Sequence, residues 1–302
     1  MVQNGKYGFL DPMTYSCLNL VTYYDLVMVV CVGVMMIVVS FLAFSLCRGI
    51  FLSGYSYRFG KGCNWLEFCW TLFPGGVLGA LGYVSWENLY EMELSDSADY
   101  HVKVVGHQWY WEYEYYMSSQ FKAMDELVIL ENAKSRARAS CAQVFKALDA
   151  ESCFPFSVSE DLDAGDLHLN FDSYGVPCDY TLLKEMGESM ELMEKSSFWP
   201  FLGQSGVTQP LFIPVNKTTE VKVCTADVIH SWGVPALGVK MDAVPGRMNH
   251  LGIHPYSAGL AYGNCYELCG YGHSVMPICV AVVSKDAFHG VLNSMLVSAL
   301  EG

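Results

Sequence analysis

Two stretches of the chain are apolar on every side. Leu26 to Cys47 is 22 residues without a charge, and Phe68 to Trp86 is 19 without one. At a rise of about 1.5 Å per residue, each can cross a hydrocarbon core of roughly 30 Å. A soluble helix needs only one apolar stripe, so two such runs close together read as membrane spans. The spans are expected at about 24–48 and 65–88. The second contains Pro74 and Gly75, Gly76, Gly79 and Gly82, poor helix formers in water that membrane helices tolerate.

Beyond Trp86 the pattern shortens. "PLFIPVN" (Pro210–Asn216), "EVKVCTAD" (Glu220–Asp227) and "PICVAVVS" (Pro277–Ser284) are short apolar or alternating runs bounded by Pro, Asn and Asp. They predict strands of a β-sandwich or barrel. "GHQWYWEYEYY", Gly106 to Tyr116, alternates aromatic and polar residues. It reads as one strand, with Trp109 and Trp111 on one face and Tyr110 on the other. Between these blocks the spacing turns helical. Met124, Leu127, Val128, Val144, Phe145 and Leu148 predict a helix within Lys122 to Leu148, resting outside the barrel or on a neighbouring subunit. Thr181 to Lys195 predicts another, with Thr181 as its cap.

Charge adds orientation and narrows the partners. The loop between the spans carries Arg48, Arg58 and Lys61, which keeps it on the cytoplasmic or matrix side and sends both chain ends to the other. The N-terminus has no Arg-rich presequence and no small-residue cleavage site after its apolar run, so the first span reads as a retained anchor. The net charge of −14 excludes nucleic acid as a partner and suits a basic one. The 12 cysteines are not spaced as a disulfide framework.

"CYELCGYGHSVM", Cys265 to Met276, concentrates the chemistry. It reads C-x-E-x-C-x3-H-x2-M, and "ADVIHSWGVP" adds His230 upstream. Two thiolates, two imidazoles and a thioether favour copper. Two thiolates can bridge two ions, each then taking one His and one weak ligand, Met276 or the Glu267 carbonyl. The Glu267 carboxylate is left for another ion. Zinc held by Cys265, Cys269, His230 and His273 is the alternative, and leaves Met276 unexplained. A disulfide between Cys265 and Cys269 is the structural one.

"DVIHSWGVPALGVKMDAVPGRMN" (Asp227–Asn249) and "YGNCYELCGYGHSVMPI" (Tyr262–Ile278) closely resemble subunit II of cytochrome c oxidase. "GHQWYWEYEY", "FDSYGVP" (Phe171–Pro177) and "WLEFCWTLFP" (Trp65–Pro74) are similar to further family motifs. The resemblance implies a two-helix transmembrane hairpin over residues 1–90 and an all-β cupredoxin-like Greek-key barrel over 91–302. Insertions are expected at about 117–166 and 178–208. It implies a dinuclear copper (CuA) centre on His230, Cys265, the Glu267 carbonyl, Cys269, His273 and Met276. Magnesium shared with subunit I would sit on the Glu267 side chain.

The same resemblance gives Trp109 as the electron-entry tryptophan. Glu67, three residues before Trp70, becomes the entrance of a proton-uptake path, and Asp227 a docking residue for cytochrome c. The implied partners are cytochrome c, subunit I with other subunits of the complex, and membrane lipids. The implied place is the mitochondrial inner membrane, with the copper domain facing the intermembrane space. The implied activity is electron transfer from cytochrome c to haem a, for oxygen reduction coupled to proton pumping. A quinol oxidase subunit would lack the six copper ligands, and a nitrous oxide reductase would lack the two-helix anchor. A copper chaperone has no reason to carry "GHQWYW" or Glu67. Tyr271 and Val275 depart from the usual residues of the copper loop.

Overall fold

A computed structural model describes residues 8–51, 62–92, 98–117, 157–160, 167–175 and 206–301. The chain divides into two units, residues 18–92 and residues 1–17 with 93–302.

The first unit is helical. α1 spans Tyr15–Phe51 and α2 spans Asn64–Met92. Their apolar side chains are exposed almost throughout, as apolar helices are when lipid or other subunits cover them. Four of their hydroxyls are bonded within the helix. Thr22, Ser40, Ser45 and Thr71 each donate to the carbonyl four residues back, so none presents an unbonded polar group to an apolar surrounding. Pro74 lies inside α2.

The second unit is built of strands. One sheet has the order β3-β4-β2-β1-β6-β9, the other β5-β11-β10-β7-β8. In the first, β1 is Tyr100–His107, β2 Tyr110–Met117, β3 Ser157–Glu160, β4 Leu167–Ser173, β6 Thr219–Thr225 and β9 Asn249–Ile253. In the second, β5 is Leu211–Pro214, β7 His230–Val234, β8 Val239–Ala243, β10 Gly259–Cys265 and β11 Pro277–Val283. β1 runs parallel to β6, and β5 to β11; the other pairings are antiparallel. Alternation along each strand sends Val102, Val104, Trp111, Tyr113, Tyr115, Val221 and Val223 inward against Trp232, Ile278, Val280 and Val282. The expected helix-then-β architecture is the one that forms, and the three short runs read as strands are β5, β6 and β11.

The aromatic motif departs from its reading. It is not one strand but the end of β1, a turn at Gln108 and Trp109, and β2, with His107 opposite Tyr110 in the register. The turn breaks the alternation, so Trp109 and Trp111 do not share a face. Trp111 is fully buried, whereas Trp109 is 36% exposed.

Two further features complete this unit. α3, Lys285–Glu301, closes the chain and buries Phe288, Leu292 and Met295. Residues ahead of the helices also belong to this unit. Met13 N–H donates to the Ala236 carbonyl, and Thr14 Oγ1 donates to the Leu237 carbonyl at 2.7 Å. Tyr256 donates to the Pro12 carbonyl at 2.7 Å.

The solvent side of the six-stranded sheet carries two buried carboxylates. Glu114 is bonded by Lys103 Nζ and His168 Nδ1, each at 2.7 Å. Glu220, 6% exposed, is bonded by His101 Nδ1 at 2.5 Å and His250 Nδ1 at 2.7 Å. The expected helices within Lys122–Leu148 and Thr181–Lys195 lie outside the described residues. β3 falls within the first expected insertion and forms the edge of the sheet.

Candidate metal centre

Three strand ends meet at one end of the five-stranded sheet. His230 opens β7 and Cys265 closes β10, and these strands are neighbours, with Cys265 opposite Trp232. Met276 directly precedes β11 on the far side of β10. The eleven steps of chain from Cys265 to Met276 must therefore double back over the sheet end. They do so through a loop and a short 3-10 turn, His273–Val275. The spacing of the motif thus brings its donors back to the strand that carries His230.

The donor atoms of His230, Cys265 and Cys269 all lie within 4.8 Å of one another, and all three side chains are buried. Cys265 Sγ is 3.9 Å from His230 Nδ1 and 3.3 Å from the Glu267 carbonyl. Cys269 Sγ is 3.5 Å from His273 Nδ1 and 3.5 Å from Met276 Sδ. Each sulfur thus sits between one imidazole and one weak donor. Both cysteines are free thiols, which disfavours the disulfide reading. Met276 is buried with its sulfur against Cys269, a placement the zinc reading does not use.

Hydrogen bonds fix the imidazole. His230 Nε2 is 2.9 Å from Asp227 Oδ1. An N–H at Nε2 donates to that carboxylate, leaving the Nδ1 lone pair facing the thiol. Asp227 is itself tied by the backbone N–H groups of Gln108 at 2.7 Å and Val228 at 2.6 Å. Burial raises the Asp227 carboxyl, but the bonds from His230, Gln108 and Val228 outweigh it and hold it below the usual range. The Trp111 ring meets His230 edge-on at 5.8 Å, and its N–H donates to the Met276 carbonyl at 3.4 Å. Gly106 is needed beneath the ring, since a Cβ there would stand 2.9 Å from His230 Cδ2.

The thiols differ in acidity. Burial raises Cys265, yet its pairing with the His230 imidazole, whose free nitrogen can take up the thiol proton, and its contacts with the backbone of Ser231 and Glu267 overcome it and bring it to about 7. Burial and the charge of Cys265 push Cys269 up to about 12. One proton leaves readily. The second leaves only when positive charge arrives, as it does when a metal binds a thiolate pair.

The surface above this cluster is the β1–β2 turn. Trp109 Nε1 donates to the Cys269 carbonyl at 3.3 Å, and Gln108 Nε2 donates to the same oxygen at 2.8 Å. Trp109 therefore lies on the ligand loop itself. Of the residues singled out from the sequence, His230, Cys265, Glu267, Cys269, His273, Met276, Trp109 and Asp227 come together here. Glu67 lies in the first turn of α2, in the helical unit, where an acid also suits the helix N-terminus. Gln108, Trp111 and the bond from His230 to Asp227 were not foreseen. The i, i+3 spacing of Asp227 and His230 was the available signal for the last.

Residues 146–283 match the family described as "Cytochrome C oxidase subunit II, periplasmic domain". A "Cytochrome c oxidase subunit 2" from Branchiostoma floridae is 30% identical over 297 residues, covering 98% of this chain and 99% of that one. The chain belongs to the cytochrome c oxidase subunit II family. A relative of the same description from Cereibacter sphaeroides is 35% identical over 223 residues, covering 74% of this chain and 58% of that one. The crystal structure of the periplasmic domain of subunit II of cytochrome oxidase from Bradyrhizobium japonicum aligns with a TM-score of 0.40 at 26% identity, over 68% of this chain and 98% of that one. Membership of this family implies a copper site. The cluster at His230, Cys265 and Cys269 offers the soft donors that copper prefers.

Proposed function

We propose that the chain is the electron-entry subunit of a cytochrome c oxidase, holding two copper ions. The observation that carries this is the pairing at the cluster, where each thiol lies against one imidazole and one weak donor. His230 and the Glu267 carbonyl would serve one ion, His273 and Met276 the other, with Cys265 and Cys269 shared. When bound, the copper pair supplies a one-electron acceptor whose charge is spread over two ions, so little rearrangement accompanies transfer.

The protein's own residues do the rest. Asp227 holds the His230 ring by a hydrogen bond and fixes which nitrogen faces the thiols. Burial of Cys265, Cys269 and Met276 keeps water from the donors. Trp109 offers a flat, partly exposed ring to a donor such as cytochrome c, and its N–H is bonded to the Cys269 carbonyl. That gives a short hydrogen-bonded link from the surface to the ligand loop. Asp227, partly exposed beside Trp109, also adds negative charge that would steer a basic donor.

The family resemblance extends the reading. The electron passes to haem a in subunit I, and the complex reduces oxygen to water coupled to proton pumping. The exposed Glu267 carboxylate contributes to a magnesium site shared with subunit I. Glu67 stands at the entrance of a proton-uptake path. α1 and α2 cross the mitochondrial inner membrane among lipids and other subunits, and the copper domain faces the intermembrane space.

Electron paramagnetic resonance of the full chain loaded with copper tests this. The expected spectrum is of one unpaired electron shared equally by two copper nuclei. A spectrum of isolated single-copper sites would overturn the proposal.

A further inference from the structure

Tyr271 is the most exposed large side chain near the centre, 97% accessible. It stands at the apex of the ligand loop between Gly270, whose φ is +118°, and Gly272. Its hydroxyl makes no hydrogen bond among the described residues. Among the described residues its aromatic neighbour is Trp109, met edge-on with ring centroids 6.3 Å apart and planes at 69°.

The two rings are held very differently. Trp109 lies flat on the loop and is bonded to the Cys269 carbonyl. A Cβ at Gly272 would overlap its Cγ, so the glycine is what lets the indole sit there. Tyr271 projects beyond this locked ring into solvent. A body approaching the open side of Trp109 meets the tyrosine too. Fully hydrated aromatic surface of this kind gains most when a partner covers it, and tyrosines of this type anchor many interfaces.

The charges nearby say what that partner is. Asp227 accepts the Gln108 N–H within the β1–β2 turn, and Glu112 and Asp172 face each other across β2 and β4 just beyond it; after burial, the charge of the three pushes the Tyr110 hydroxyl up. An apolar centre beside three carboxylates fits a carrier whose redox group has an apolar exposed edge ringed by basic side chains.

We propose that Tyr271 is a specificity-determining contact for the electron donor, buried against the donor's apolar face when Trp109 is engaged. This rests on the electron-entry reading of Trp109. Long-range charge brings the donor in, and the tyrosine ring fixes the approach that puts the redox edge over the indole. The phenol oxygen is not needed for this; the ring is.

The test uses the intact oxidase carrying Tyr271→Ala, Tyr271→Phe or Trp109→Leu, with reduced cytochrome c as donor. Turnover is followed over a range of donor concentrations, and the copper-to-haem ratio is measured in each variant. Tyr271→Ala should raise KM about tenfold and change kcat less than about twofold, and Tyr271→Phe should recover most of the loss. Trp109→Leu should instead lower the rate at saturating donor. A normal KM in Tyr271→Ala beside a slow Trp109→Leu overturns the tyrosine proposal and leaves the entry reading standing. The reverse pattern keeps Tyr271 as the docking contact and removes Trp109 as the entry point. A loss of copper or of assembly in Tyr271→Ala means the ring packs against another subunit, and the proposal fails.

Discussion

Asp227 Oδ1 and His230 Nε2 are 2.9 Å apart, and this one hydrogen bond decides which nitrogen of the imidazole faces Cys265. The carboxylate is itself held by the backbone N–H of Gln108. The surface turn that carries Trp109 and the orientation of a buried ligand therefore share one side chain.

Asp227→Ala should weaken copper binding by about ten- to a hundredfold, the usual cost of losing a group that orients a metal ligand. Competition with a chelator of known affinity measures it. An unchanged affinity would show that packing by Trp111 and Gly106 is enough to aim the ring.

Cys265→Ser should leave, at best, a single-copper site. The remaining soft donors, Cys269 and Met276, lie together on one side of the cluster, so one ion keeps a thiolate and the other does not. Paramagnetic resonance that still shows two equivalent copper nuclei would sink the shared-thiolate arrangement.

Glu220 makes the fold sensitive to acid. Burial alone raises its carboxyl, but the bonds to His250 and His101 and the charge of Lys222 hold it below the ordinary value. A lowered folded value favours the charged form in the folded chain. The stabilisation is thus full above the unfolded value of about 4.3 and is lost as pH falls below it toward the folded one. Glu220→Gln should cost about 1–3 kcal/mol at neutral pH and much less in acid. Urea unfolding of the full chain in detergent, followed by tryptophan fluorescence at several pH values, checks it. An equal loss at every pH would mean that packing, not charge, is what the substitution removes.

Glu67→Gln should slow proton uptake linked to reduction of the oxygen site while leaving electron entry from cytochrome c intact. Proton uptake and electron entry can be timed separately in the intact oxidase with a pH-indicator dye and stopped-flow absorbance. Normal uptake would return Glu67 to the plainer role of an acid at a helix N-terminus.

What could be read in advance followed from local rules. The donors of the copper loop lie within twelve residues, and β11 begins directly after Met276, so spacing alone indicated a compact site beside a strand. The reversal at Gln108 and Trp109 was hidden because neither residue is a usual turn former, and the alternation of aromatic and polar residues from Trp109 to Tyr116 reads as part of one strand. α3 did carry a signal. Phe288, Leu292 and Met295 recur at helical spacing, and Ser284 Oγ accepts the Ala287 N–H at 3.3 Å. The bond from Thr14 to Leu237 had none, because nothing in the first residues names a partner so distant in sequence.

That last contact has a consequence for biogenesis. Thr14 and the carbonyl it binds are 223 positions apart. A ribosome releases the early segment long before the chain around Leu237 exists. The residues at 12–14 must then wait, unpartnered, through synthesis of both apolar helices and most of the strands. Completion of this unit is a late event in the life of the nascent chain, and a segment made long before its partner is among the last to find its place.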